Sequence, residues 1–170
     1  MNPQYPIRLN TSQVEIIDAI LSNKVSFLVI GGWAIASYIS ERTTFDLDIL
    51  ISRTRGNAIR VETALKQIKN LTFPLGLNLR QTLTESEKRI FIPDDGPNKL
   101  VDILTSIKGV DFGDFYRASK VAYVGLREVR VCSPHDLLKM KEISLKLTIN
   151  PKYQLRDIAD IKLLKKFLGV

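Results

Sequence analysis

Two aspartates one residue apart, Asp46 and Asp48, interrupt an otherwise apolar run, Phe45-Asp46-Leu47-Asp48-Ile49-Leu50-Ile51. Alternate residues of a strand share a face, so both carboxylates point one way and Leu47 and Ile49 point the other. Like charges held that close repel, and a cation between them removes the repulsion. Hard oxygen donors of this kind suit Mg²⁺, which takes one or two carboxylates and completes its shell with water and substrate phosphates. A third carboxylate, Asp102, lies in a second apolar run, Val101-Asp102-Ile103-Leu104, although Asp is a poor strand former. If that strand lies beside the first, the three carboxylates can serve two metal ions about 4 Å apart, an arrangement that assists displacement at phosphorus. Upstream, Gly31-Gly32 ends an apolar run just before a helix start. Glycines there let backbone N–H groups approach a phosphate, and the helix N-terminus adds its positive end. Each feature alone has a plainer explanation: alternate aspartates suit a solvent-facing strand edge, and Gly-Gly suits an ordinary tight turn. The combination is more specific than its parts.

These residues need strands and helices to position them. Ser12-Gln13-Val14-Glu15 has the pattern of a capping box and predicts a helix over 13–22. Residues 25–30, VSFLVI, predict a buried strand, 33–39 a short helix, 45–51 a second strand and 57–69 a helix. Three further strands are expected over 77–82, 89–92 and 100–104. The last two should form an antiparallel hairpin, because Pro93-Asp94-Asp95-Gly96-Pro97-Asn98 between them is turn chemistry. A short helix over 113–118 and strands over 122–124 and 129–131 follow. Ser133 as N-cap and Pro134 at the first helical position open a helix to 147, and a break at Asn150-Pro151 precedes a last helix over 154–168. The expectation is an α/β core over residues 1–132 with a C-terminal helical extension, 133–170, packed on it as one compact unit.

The chain has 170 residues, of which 45% are hydrophobic, and a mean hydropathy of +0.01, which is enough to bury a core and unlike a disordered chain. No apolar run approaches the roughly 18 residues of a membrane span. The first residues have neither the basic start nor the apolar stretch of a secretion signal. A single cysteine, Cys132, excludes an internal disulfide and fits a reducing compartment, so a cytoplasmic protein with no membrane partner is expected. The net charge of +7 favours polyanionic partners such as nucleotides or RNA.

Gly31-Gly32, a thirteen-residue spacer, Asp46-Leu47-Asp48-Ile49 and then Val101-Asp102-Ile103 together resemble the signature of the polymerase-β-like nucleotidyltransferase superfamily. The stretches Gly32-Trp33-Ala34-Ile35 and Arg42-Thr43-Thr44-Phe45-Asp46 are also similar to its small bacterial branches. These comprise antibiotic nucleotidyltransferases and the toxins of type IV toxin–antitoxin and abortive-infection systems. Asp136-Leu137-Leu138-Lys139-Met140-Lys141 and Arg156-Asp157-Ile158-Ala159-Asp160-Ile161 resemble the helical tail of those branches. The resemblance implies a mixed sheet flanked by helices, and transfer of a nucleoside monophosphate from an NTP such as ATP to a hydroxyl, with release of pyrophosphate. It implies two Mg²⁺ ions, with Mn²⁺ as an alternative, bound by Asp46 and Asp48. Asp102 would complete the second ion, and Gly31 and Gly32 would donate to the phosphates. The acceptor would be tRNA or another RNA, an antibiotic, or a protein, and an antitoxin partner is implied for the toxin branch. A non-catalytic binding module of the same fold is the competing reading.

Other candidates are less marked. Arg42, on the segment leading to Asp46, can reach a triphosphate or remain a solvated loop residue, and Thr44 can bond near the site or merely begin the strand. Lys139 and Lys141 can each supply a phosphate-binding lip, but at most one faces a cleft on an amphipathic helix, and Lys139 is the candidate taken. Either Arg156 or Asp157 is expected to brace the last helix. His135 is expected at the surface and Cys132 is expected to be buried and inert.

Overall fold

The computed structural model describes residues 1–69, 71–73, 76–93 and 99–170, so Asp94-Asp95-Gly96-Pro97-Asn98, the expected turn, lies outside the described residues. In chain order the elements are α1 (Thr11–Ser22), β1 (Phe27–Ile30), α2 (Gly31–Ala36), β2 (Leu47–Ile51), α3 (Arg55–Lys66), α4 (Leu79–Thr84), β3 (Arg89–Pro93) and β4 (Lys99–Leu104). Next come α5 (Phe112–Ala118), β5 (Lys120–Val124), β6 (Arg127–Val131), α6 (Pro134–Leu147) and α7 (Pro151–Leu168). The six strands form one mixed sheet in the order β3-β4-β2-β1-β6-β5. β1 runs antiparallel to β2 and parallel to β6, β2 runs parallel to β4, and the β3–β4 and β5–β6 pairs are antiparallel. This is the mixed sheet with flanking helices and a C-terminal helical pair that the sequence suggested.

Burial explains the central strands. All four residues of β1 are buried, as a continuous apolar run requires when both faces of a sheet are covered. In β2, Leu47, Ile49, Leu50 and Ile51 are buried and Asp48 is partly exposed. α1 sets Ile16, Ile17 and Ile20 into the core at helical spacing. Its capping box uses Asn10 and Gln13 in place of Ser12 and Glu15: Gln13 N–H donates to Asn10 Oδ1 at 2.8 Å and Asn10 N–H donates to Gln13 Oε1 at 3.2 Å. The helix therefore starts two residues earlier than the capping pattern implied.

The strand expected over 77–82 is instead the helix α4. Asn78 caps it by accepting from Gln81 N–H at 3.1 Å, and the buried residues are Leu79 and Leu83, four apart. Leu77, two residues before Leu79, is exposed and stands outside the element, so the buried pair follows the helical period. β3 and β4 pair antiparallel, as expected.

One buried side chain links three elements next to the central strands. Asn57, in the first turn of α3, accepts from Ser26 N–H at 2.7 Å and donates to Ser26 O at 3.0 Å and Ser52 O at 2.8 Å. It thus clamps the start of β1 to the end of β2. Asn57→Ala leaves the Ser26 amide and the Ser52 carbonyl to find other partners, while Ser26 O keeps the Ser52 N–H, so urea unfolding should show a loss of about 2 kcal/mol with the slope unchanged.

Candidate functional site

β2 and β4 pair in parallel with Asp48 opposite Asp102 and Leu47 opposite Val101. Directly opposed residues project from the same face of a sheet, so the register sets the two carboxylates side by side. Ile30, the last residue of β1, is the antiparallel partner of Asp48, which brings Gly31 over it. Asp46 stands one residue before β2 and faces the same cleft, a cavity of about 570 Å³. Gly31, Asp46, Asp48, Arg89 and Asp102 line its sheet side, and Met140, Lys141, Ser144, Lys152, Tyr153, Arg156 and Asp157 line its α6–α7 side.

The two glycines are required by contact as well as by conformation. Gly31 has φ +63°, and a Cβ there would come within 2.3 Å of Asp48 Oδ2. At Gly32 a Cβ would come within 2.6 Å of Thr44 Oγ1. The backbone at the start of α2 therefore lies directly on the Asp48 carboxylate, with Thr44 packed beneath Gly32.

The electrostatics of the cluster are unbalanced around Asp48. Its carboxyl is pushed up to about 6, first by burial and then by Asp102 and Asp46, while Arg89 and Lys141 oppose the shift. Asp102 is 1% exposed and lies in a two-pronged pair with Arg89 of β3. Arg89 Nε donates to Asp102 Oδ1 at 2.9 Å, and a second guanidinium N–H donates to Oδ2. This fork raises the Arg89 pKa above its usual value. Sequence reasoning missed Arg89, which shares the exposed face of β3 with Phe91, alternates with buried Ile90 and Ile92, and looks like the outward side of an ordinary edge strand.

The donor set fits a hard divalent cation at Asp46 and Asp48, where a partly buried carboxylate carries more negative charge than its surroundings neutralise. Asp102 does not fit in the same way, because both its oxygens already accept from Arg89. Among the described residues, no three or more His, Cys, Asp or Glu side chains are grouped as a ready-made metal cage. Mg²⁺ commonly relies on one or two carboxylates with substrate phosphates completing its shell, so such a cage is not needed.

Two of the sequence candidates take other positions. Arg42 turns away from the cleft and pairs with Asp160 of α7, Nε to Oδ1, at 2.6 Å. Lys141 Nζ meets Asp157 Oδ1 and Asp160 Oδ2, both at 2.8 Å. Two cations and two anions thus form a neutral, mostly buried network that ties α7 to α6 and to the segment before β2. Lys139 stands over the Phe115 ring, 5.6 Å from its centroid, while Lys141 reaches the cleft. Residues two apart on a helix lie about 200° apart, so only one of them can face it. Asp157 braces the last helix and Arg156 faces the cleft. His135 is exposed, and Cys132 is buried with its thiol pKa pushed up by that burial. On the other side of the segment, buried Gln13 donates through Nε2 to Phe45 O at 2.6 Å. Asp46 is therefore delivered by a stretch held at Arg42 and again at Phe45.

The sheet order, the in-register aspartates and the glycine turn define a nucleotidyltransferase fold. Two solved structures share it. One is an antigenic nucleotidyltransferase-like protein from Paracoccidioides brasiliensis, with a TM-score of 0.52 and 16% identity over 93% of this chain and 78% of that one. The other is ANT(2″)-Ia in complex with adenylyl-2″-tobramycin, with a TM-score of 0.56 and 15% identity over 94% of this chain and 91% of that one. The sequence matches no described protein family and no curated protein. Among the described residues, no helix is long and apolar enough to cross a membrane.

Gly31→Ala should lower stability by about 2 kcal/mol or more in urea unfolding, since it combines a left-handed residue with a clash against Asp48. Gly56→Ala, where an added Cβ meets nothing within 4 Å, is the control and should be neutral or slightly stabilising.

The raised Asp48 pKa has a definite sign in stability. The folded protein holds this proton more tightly than the unfolded chain, whose carboxyl has the ordinary value of 3.8. The contribution is complete below about pH 4 and is lost as pH rises through about 6. In metal-free buffer, Asp48→Asn should therefore gain stability relative to wild type between pH 4 and 6.5, as read by denaturation at each pH; a constant difference would refute the shift.

Proposed function

We propose that the protein transfers a nucleoside monophosphate from an NTP to a hydroxyl acceptor and releases pyrophosphate. The observation that carries this reading is the placement of Asp48 beside Asp102, directly under Gly31, at the floor of a cleft in a nucleotidyltransferase fold. Asp46 and Asp48 would hold Mg²⁺, or Mn²⁺ in its place. When bound, that ion supplies the positive charge that draws electron density from the α-phosphate and lowers the pKa of a coordinated hydroxyl. The chain's own residues position and neutralise. Gly31 and Gly32 bring backbone close to the carboxylates, where N–H groups can meet phosphate oxygens. Lys152 and Arg156, on the α7 side, offer cations to the triphosphate. Asp102 orients the Arg89 guanidinium towards the same space. With donor and acceptor held in one cleft, much of the rate comes from positioning and from charge placed in advance.

For the acceptor we favour RNA, including tRNA, which would place the protein with toxin-type enzymes and make an antitoxin a natural partner. Lys152 and Arg156, both exposed on α7, support this choice, because a cationic rim attracts a polyanion and repels a cationic antibiotic. The antibiotic reading has support from ANT(2″)-Ia, which was solved with adenylyl-2″-tobramycin.

Thermal unfolding with each of the four NTPs, with and without Mg²⁺, tests the reading. One NTP should raise the melting temperature by several degrees only when Mg²⁺ is present, and the Asp46→Ala/Asp48→Ala variant should lose the effect. Label from that NTP should then appear in bulk tRNA. A lack of stabilisation by any NTP at millimolar concentration would favour a non-catalytic binding module.

A further inference from the structure

We infer that Arg89 is the resident cation of the third carboxylate, so that the cluster takes one divalent ion, at Asp46 and Asp48, in place of two. The inference rests on the metal-binding reading above and departs from the two-ion expectation.

Three observations carry it. Asp102 is almost completely buried, and a buried carboxylate must be neutralised by a partner. Its partner is a guanidinium fork that engages both oxygens, which is the geometry in which arginine binds carboxylate most strongly. An ion at Asp102 would have to share oxygens already engaged in two charge-assisted hydrogen bonds and would meet a fixed positive charge beside them. Finally, the fork is built into the hairpin: Arg89 and Asp102 lie on the paired strands β3 and β4, with Phe91 directly opposite Asp102 and Arg89 opposite Leu104. The guanidinium reaches across from two residues along β3 and keeps 54% of its side-chain surface exposed. It can thus present its outer N–H groups to the cleft while holding Asp102.

The charge arithmetic of the site agrees. Three carboxylates carry three negative charges, Arg89 returns one positive, and one divalent ion brings the cluster close to neutrality. A second divalent ion would make it positive before the polyphosphate is counted. Arg89 would then act as a positioning residue for Asp102 and as a fixed cation facing the NTP, in the place where a second metal would stand.

Counting Mn²⁺ bound to the full chain, by equilibrium dialysis and by loss of the free-ion electron paramagnetic resonance signal, tests this in the presence of a non-hydrolysable α,β-methylene NTP analogue. Wild type should bind about one Mn²⁺ per chain beyond that held by free analogue, and Arg89→Gln should bind about two, because Asp102 is released. The double variant Arg89→Gln/Asp102→Asn should return to about one. Should Arg89→Gln fail to fold, Asp102→Asn in the wild-type background decides the matter: its count should stay at about one Mn²⁺ per chain at saturation, whereas a chain that used Asp102 as a direct ligand would lose an ion. Two ions on wild type, an unchanged count in Arg89→Gln, or a lower count in Asp102→Asn would each overturn the role of Arg89 and leave the enzyme reading standing. A wild-type chain that binds no Mn²⁺ would overturn both.

Discussion

The site depends on one strand register, which holds Asp48 and Asp102 side by side at the centre of the sheet. A register slip of one residue along β2 or β4 would turn one carboxylate to the opposite face and place an apolar side chain in the cleft. The flanking residues prevent this: Leu47, Ile49, Val101 and Ile103 are all buried, so the hydrophobic pattern that stabilises the sheet also fixes the charges. The like-charge pair is tolerated because compensation surrounds it, with Arg89 on the β3 side and Lys141 across the cleft. The residual imbalance falls on Asp48, the carboxylate left without a fork.

The second requirement is to hold the segment before β2, which has no regular structure of its own between α2 and Leu47. It is tethered on opposite sides. Gln13, whose backbone completes the cap of α1, uses its side chain for the Phe45 carbonyl, and Arg42 is held by Asp160. The Arg42–Asp160–Lys141–Asp157 network contains equal numbers of positive and negative groups and is mostly out of solvent. Removal of Asp160, which bridges Arg42 and Lys141, leaves Arg42 without its carboxylate, and breaking a buried pair in this way typically costs about 3–5 kcal/mol. The C-terminal helices are therefore part of the site's support as well as one wall of its cleft.

Much of this was legible in the sequence because it follows from local pattern. An aspartate inside an apolar strand is unusual enough to mark Asp46, Asp48 and Asp102, and Gly31-Gly32 marks the turn that only glycine can make against Asp48. The features that were not legible depend on neighbours distant in sequence. Arg89 looks like any outward residue of an alternating strand until β4 is placed beside it. Arg42 seemed free to reach a phosphate because its partner lies 118 residues away. The choice between Lys139 and Lys141 is a question of helix rotation, which the α6–α7 packing decides. At residues 77–82, where a strand was expected, the local signals of a helix are the Asn78 cap and the four-residue spacing of Leu79 and Leu83.

The long sequence separation between Arg42 and Asp160 also has a consequence during protein synthesis. Asp160 is made 118 residues after Arg42, so at ordinary elongation speeds the ribosome needs roughly 6–24 s to supply the partner. During that interval the sheet can assemble from local hairpins and the β2–β4 pairing, while the segment that delivers Asp46 has one of its two anchors missing and the cleft lacks a wall. A nascent chain can therefore set Asp48 beside Asp102 before Asp46 has its second anchor, and the cleft is completed only when α7 arrives to supply both that anchor and a wall.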